Sequence, residues 1–186
     1  MPQRVFLGLG ANVGNRIENL RLALRWLEPQ CRVVAVSSLY QSAALVLEGS
    51  PAGPDYYNGA VEVQTELSPA ELLFHVKQIE HDIGRRPAER WAPRPIDIDI
   101  LLYGDAVIDT PELQIPHPSL TARNFVMAPL AELAGDVVHP VLGKPIGALA
   151  EDVDYVGLSL IAERGWATGT GQPPEESGEK ASPRPS

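Results

Sequence analysis

The chain has 186 residues, 44% of them hydrophobic and 21% charged, enough for one domain with a real core. Its net charge of −9 argues against a broad nucleic-acid surface, which needs a basic stripe. A single cysteine, Cys31, excludes a disulfide framework or a thiolate zinc site, and no apolar run approaches the 18 or so residues that span a bilayer. With no signal-peptide pattern at the start, a soluble cytoplasmic protein is expected.

In chain order, Arg4 to Gly10 reads as a buried first strand running into a glycine-rich turn. Gly8, Gly10 and Gly14 approach the dinucleotide fingerprint, but the last spacing is one residue too long, so the glycines are read as room for close backbone approach. Asn15 is placed to cap a helix reaching Glu28, with Ile17, Leu20, Leu24 and Leu27 as its apolar stripe and Pro29 as its stop. A β-branched strand follows from Cys31 to about Tyr40. Residues 44–55, with two glycines and two prolines, read as a loop long enough to act as a lid.

A third strand opens at Tyr56 and alternates Val61, Val63 and Thr65 against Glu62 and Gln64. Ser68-Pro69-Ala70-Glu71 is a capping box with proline at the first helical position. The helix it opens turns Leu72, Val76, Ile79 and Ile83 inward and ends at Gly84. Glu80 stands near the C-terminal end, where the helix dipole disfavours a carboxylate.

The most informative stretch comes next. Arg85, Arg86, Arg90 and Arg94, four of 15 basic residues, crowd around Trp91 and three prolines. They feed into Ile96-Asp97-Ile98-Asp99-Ile100, a strict alternation that sends both aspartates to one face of a strand, roughly 6.6 Å apart. Paired carboxylates at that spacing suit oxygen ligation of one or two Mg²⁺ ions, and guanidinium groups suit the phosphates that magnesium brings. Each feature alone is commonly a solvated surface; together they read as a polyphosphate clamp.

Beyond it come a turn at 103–106, a short return through Val107-Ile108, and Ser119 capping a short helix that includes Arg123. A further helix over 125–133 is kinked or begun at Pro129. The composition from about Ala167 cannot build a core, so the division is a domain over 1–164 and a disordered tail over 165–186. The order β-α-β-β-α-β makes the fold class α+β, a ferredoxin-like split βαβ sheet with helices on one face, plus short C-terminal helices.

At this point the residues resemble a known family. The matching stretches are Gly10-Ala11-Asn12-Val13-Gly14, Ser37-Ser38-Leu39-Tyr40, Tyr56-Tyr57-Asn58-Gly59-Ala60-Val61, Ile79-Glu80, Gly84-Arg85 and the run from Glu89 to Leu101. Pro116-His117-Pro118 and Arg123-Asn124-Phe125-Val126 complete them. They resemble the 6-hydroxymethyl-7,8-dihydropterin pyrophosphokinases of folate biosynthesis. The resemblance implies transfer of the β,γ-diphosphate of MgATP to the hydroxymethyl group of the dihydropterin, with release of AMP.

By the same resemblance Asp97 and Asp99 are ligands of two Mg²⁺ ions arriving with ATP, and Arg85 and Arg94 neutralise charge on the migrating group. Glu80, Arg86, Trp91, Ile100, His117 and Arg123 correspond to nucleotide-side positions. Tyr56 and Phe125 correspond to rings that sandwich the pterin, and Asn58 to a side chain bonding its edge. Ser42, Ala43 and Leu45 correspond to further substrate contacts. Lys77 and Glu112 depart from the family's familiar glutamine and arginine, and Ala43 and Ala44 from its prolines. A monomer without nucleic-acid or membrane partners is expected. The rivals, a ligand-binding regulatory module and a two-metal nuclease or phosphatase, leave the arginine loop idle or lack further metal ligands.

Overall fold

A computed structural model describes residues 1–44, 48–49, 53–84 and 95–168 of the chain. The lid expected over 44–55 falls partly outside them, and the arginine-rich run from Arg85 to Arg94 and the tail from 169 onward fall wholly outside.

The sheet is built on strand β1 (Gln3–Ala11), which pairs antiparallel with β4 (Tyr56–Thr65) on one side and β5 (Asp97–Tyr103) on the other. Beyond β4, two short strands share its outer edge: β2 (Cys31–Val36) and β3 (Leu39–Ser42). The sequence reads as one continuous strand here, but Ser37 and Ser38 interrupt it. The Ser37 hydroxyl accepts from the Ala60 amide and donates to the Ser38 carbonyl, a side-chain alternative to the ladder that short hydroxyl residues offer. β8 (Ser159–Ala162) adds to the far edge of β3.

Two helices form as the local signals dictate. α1 (Arg16–Leu27) is capped by Asn15, whose side chain accepts from the Glu18 amide. α2 (Pro69–Asp82) carries the complete reciprocal capping box of Ser68 and Glu71. Gly84, just past its end, takes φ +108°, a conformation only glycine adopts without strain. Both helices lie on one face of the sheet, where Leu20, Leu27, Leu72, Val76 and Ile79 meet Val5, Leu7, Leu9 and Ile98.

The C-terminal helices, whose placement the sequence pattern left open, take the other face. α3 (Asn124–Ala134) and α4 (Ile146–Glu151) cover part of the second face, packing Leu130, Met127 and Ile146 on Phe6, Leu101 and Leu102. A bulge between Phe6 and Leu7 allows it, letting Leu101 and Leu102 both serve the second face and ending the alternation of β5. The residues from Ser119 to Arg123 form turns rather than the expected capped helix, with the Arg123 amide bonding the Ser119 carbonyl. Val107-Ile108 does not return along β5; β6 (Ile108–Asp109) pairs with β7 (Gln114–Ile115) as a separate hairpin.

The domain boundary also moves. Residues 165–168, assigned to the tail by composition, belong to a 3₁₀ helix (Arg164–Thr168) whose Trp166 is 2% exposed in the main core. Its indole donates to the Ser37 carbonyl at 2.8 Å, and its own carbonyl accepts from Arg21. A lone tryptophan before a polar tail gives no periodic signal, so pattern reading passes over it.

Candidate active site

α3 and α4 leave one end of the second face open, and the sequence concentrates its polar residues there. Gly8 and Gly10 of β1 stand opposite Asp99 and Asp97 of β5 on one side, and opposite Ala60 and Asn58 of β4 on the other. The strand between the acids and the amide therefore carries no side chains on this face. A Cβ on Gly10 would meet Asn58 Oδ1 at 3.5 Å and the Tyr56 ring at 3.6 Å. The result is a trough floored by backbone at Gly10, with carboxylates on one rim and Asn58 and Tyr56 on the other. It is closed at Gly8 by the Leu101 side chain, 3.4 Å from where a Cβ would stand.

The acidic rim follows the alternation expected. Ile96, Ile98 and Ile100 are buried while Asp97 and Asp99 are half-buried on the open face. Ile100 lies in the main core, so its side chain faces away from the trough and only its backbone is left for the nucleotide contact it was expected to make. Burial, followed by repulsion from the Asp97 carboxylate, raises Asp99 to about 7; Glu80 adds to the rise while Lys77 and Arg123 oppose it. Two acids crowded this way favour arrival of a cation.

Glu80 is 2% exposed rather than solvated. One of its oxygens accepts from the Ile98 amide at 2.8 Å, and the other pairs with Lys77 at 3.1 Å. It therefore clamps the outer edge of β5 midway between the two aspartates. The sequence reading noted Lys77 only as a departure from the family's glutamine, and Gly8 and Gly10 only as room for close backbone approach; their place at the site comes from the structure. The i, i+3 spacing of Lys77 to Glu80 was visible, but the role of Gly8 and Gly10 depends on knowing which strands flank them.

On the opposite rim, the Asn58 amide nitrogen donates to Ser42 Oγ at 2.9 Å and to the Tyr40 carbonyl at 3.3 Å. Ser42 and Asn58 are both buried, and Ala43 continues directly from β3. Arg16 stacks over the Tyr57 ring at 3.9 Å and donates to the Asp55 carbonyl, fixing the chain that enters β4.

A third group comes from the segment before α3. His117 Nδ1 accepts from the Ser119 amide, which leaves Nε2 to carry the proton of the neutral ring. Burial, helped by Arg123, lowers the His117 pKa, while Asp97 acts in the opposite sense. Arg123 sits at the N-cap of α3 over the Phe125 ring, 5.8 Å from its centre, and both line an open cleft of about 430 Å³.

The structure thus brings Asp97, Asp99, Glu80, His117 and Arg123 into one electrostatic neighbourhood and gathers Ser42, Tyr56 and Asn58 on the facing rim. Leu45, Arg85, Arg86, Trp91 and Arg94 lie outside the described residues. Among the described residues, no group of three or more His, Cys, Asp or Glu side chains is arranged to hold a metal, and no helix is long and apolar enough to cross a membrane.

Comparison with known proteins points to one family. The family model for 7,8-dihydro-6-hydroxymethylpterin-pyrophosphokinase matches residues 6–135. A 2-amino-4-hydroxy-6-hydroxymethyldihydropteridine pyrophosphokinase of Pseudomonas aeruginosa is 42% identical over 163 residues, covering 87% of this chain and 98% of that protein. One from Aquifex aeolicus is 42% identical over 142 residues, covering 76% of this chain and 87% of its own. Among solved structures, a Plasmodium falciparum HPPK-DHPS with pterin and p-hydroxybenzoate superposes with a TM-score of 0.68 at 16% identity, over 87% of this chain and 47% of that one. The chain spans less than half the length of that structure, and the likeness bears on the fold alone. By the family model and these relatives, the chain belongs to the 7,8-dihydro-6-hydroxymethylpterin-pyrophosphokinase family.

Proposed function

We propose that the trough on the open end of the second face is where this pyrophosphokinase transfers the β,γ-diphosphate of ATP to 6-hydroxymethyl-7,8-dihydropterin in folate biosynthesis. The reaction forms a bond from the pterin hydroxymethyl oxygen to the β-phosphorus and breaks the bond from that phosphorus to the oxygen kept by AMP. The hydroxyl proton is released. Such transfers need positioning and charge stabilisation more than a covalent nucleophile.

The observation that carries the reading is the opposition of two rims across the bare Gly10 position of β1: Asp97 and Asp99 on one, Asn58 and Tyr56 on the other. A flat heterocycle can lie against the glycine floor between Tyr56 and Phe125, with Asn58 bonding its edge. Because the Asn58 nitrogen is committed to Ser42 and Tyr40, its oxygen is left to accept from the ligand.

The donor set fits magnesium. Two carboxylates on one face, with no third protein ligand among the described residues, match an ion that keeps its water and shares substrate phosphates. Asp97 and Asp99 would hold it, and when bound it supplies neutralisation of triphosphate charge. Neutral His117 can donate from Nε2 to a phosphate oxygen, and Arg123 offers a planar cation beside it. Arg85 and Arg94, with Arg86 and Trp91, all in the sequence between α2 and β5, would supply the further groups that meet the phosphates. We read the sheet itself as the split βαβ arrangement, its second strand broken into β2 and β3.

The test is incubation with MgATP and the hydroxymethyl-dihydropterin. AMP and the pterin diphosphate are the expected products. ADP, or hydrolysis independent of pterin, would overturn the assignment.

A further inference from the structure

We propose that Glu132 of α3 is a positioning residue for pterin recognition, acting through Tyr40 on the side chain of Asn58. The proposal rests on the reading of Asn58 as a pterin contact. Two segments distant in sequence converge on this one carboxylate. Its Oε2 accepts from the Ser38 amide at 3.1 Å and the Ser38 hydroxyl at 3.2 Å, while Oε1 accepts from the Tyr40 hydroxyl at 2.5 Å. Arg164, in the 3₁₀ helix, supplies the countercharge at 3.3 Å.

These bonds grip the chain where it is weakest. Ser37 and Ser38 break the strand into β2 and β3, so β3 has four residues and no continuous strand behind it. Its inner edge holds Asn58: Tyr40 stands directly opposite in register, and the Tyr40 carbonyl and Ser42 hydroxyl receive the Asn58 amide. Its outer edge is closed by β8, with Tyr40 opposite Leu160. A shift of β3 is thus a shift in where the Asn58 oxygen points. Charge-assisted bonds from a half-buried carboxylate are the strongest local means of preventing it. Burial and then Glu132 itself raise the Tyr40 pKa far above the usual tyrosine range, so this hydroxyl remains a donor across any working pH.

Glu132 lies within the span matched by the family model, but Arg164 and Trp166 lie beyond it. Trp166 holds the Ser37 carbonyl from the opposite face of the sheet, so the strand break is gripped on both sides.

The test uses the full chain and steady-state kinetics with each substrate varied separately, with melting curves for every variant. Tyr40→Phe removes one oxygen, and should raise the KM for the pterin roughly tenfold, the low end of the effect of one lost hydrogen bond to a charged group, with kcat and the KM for ATP unchanged. Glu132→Gln, which can still accept from Tyr40, should lie between Tyr40→Phe and wild type. The double variant should fall short of the product of the single effects, since both act through one bond. Equal rises in both KM values, or an unchanged pterin KM in a folded Tyr40→Phe protein, would overturn the proposal. Asn58→Ala separates the two readings. If it raises the pterin KM while Tyr40→Phe does not, the Glu132 proposal alone fails; if it leaves that KM unchanged, the pterin reading of Asn58 fails and takes the proposal with it.

Discussion

Asp99 is held at about 7, far above the 3.8 of a free aspartate, chiefly by burial and by Asp97. A folded-state value above the unfolded one means that the folded chain binds the extra proton between those two values. Stability therefore falls as pH rises from about 4 to about 7, and the full cost stands above 7. In chelator-treated protein, Asp99→Asn should stabilise by about 1–2 kcal/mol at pH 8 and by little at pH 4. Denaturant titrations at both values check this, and an equal gain at both would contradict it. The same variant should lose turnover, because its amide brings no charge to a cation. Gly10→Ala makes a complementary test. Its methyl group meets Asn58 and Tyr56 at ordinary contact distances, so the melting temperature should hold while the pterin KM rises at least tenfold. An unchanged KM would show that the glycine floor is not where the ring lies.

Strand β5 shows how local pattern and tertiary context divide the work. Its inward isoleucines and outward aspartates were legible from alternation alone, and so were the capping box of α2 and the Asn15 cap of α1. The interruption between β2 and β3 was not, because Val33, Val36, Leu39 and Tyr40 all favour strands and only the hydrogen bonds of Ser37 reveal the break. Glu80 was legible as misplaced but not as a clamp, since the partner it satisfies is a backbone amide 18 residues away. Glu80→Ala leaves that buried amide unpaired and should destabilise by about 1–3 kcal/mol while lowering kcat through loss of aspartate alignment. Glu80→Gln, which retains an acceptor, should recover most of both. Stability recovered without kcat would mean that the charge of Glu80, rather than its grip on β5, matters to the reaction.

At the scale of the molecule, the second face owes its shape to partial coverage. α3 and α4 bury Phe6, Leu101 and Leu102 at one end and leave the glycine-floored end open. Composition predicted helices after β5 but could not say which face they would take, since that depends on the bulge that turns Leu101 and Leu102 together. The tail boundary failed for a related reason: one aromatic residue in a polar context is decided by the slot it finds. Trp166→Ala should cost about 3–5 kcal/mol in thermal or denaturant unfolding, as for a large ring removed from a packed core. A loss under 1 kcal/mol would show that the ring is dispensable to the core.

That indole has a consequence for biosynthesis. Translation delivers β1 to β5 and the first two helices well before residue 166, yet the seat beside α1 and Ser37 waits for that later side chain. A nascent chain stalled short of it exposes an apolar notch that the folded enzyme never shows, and the arrival of that ring is what seals it.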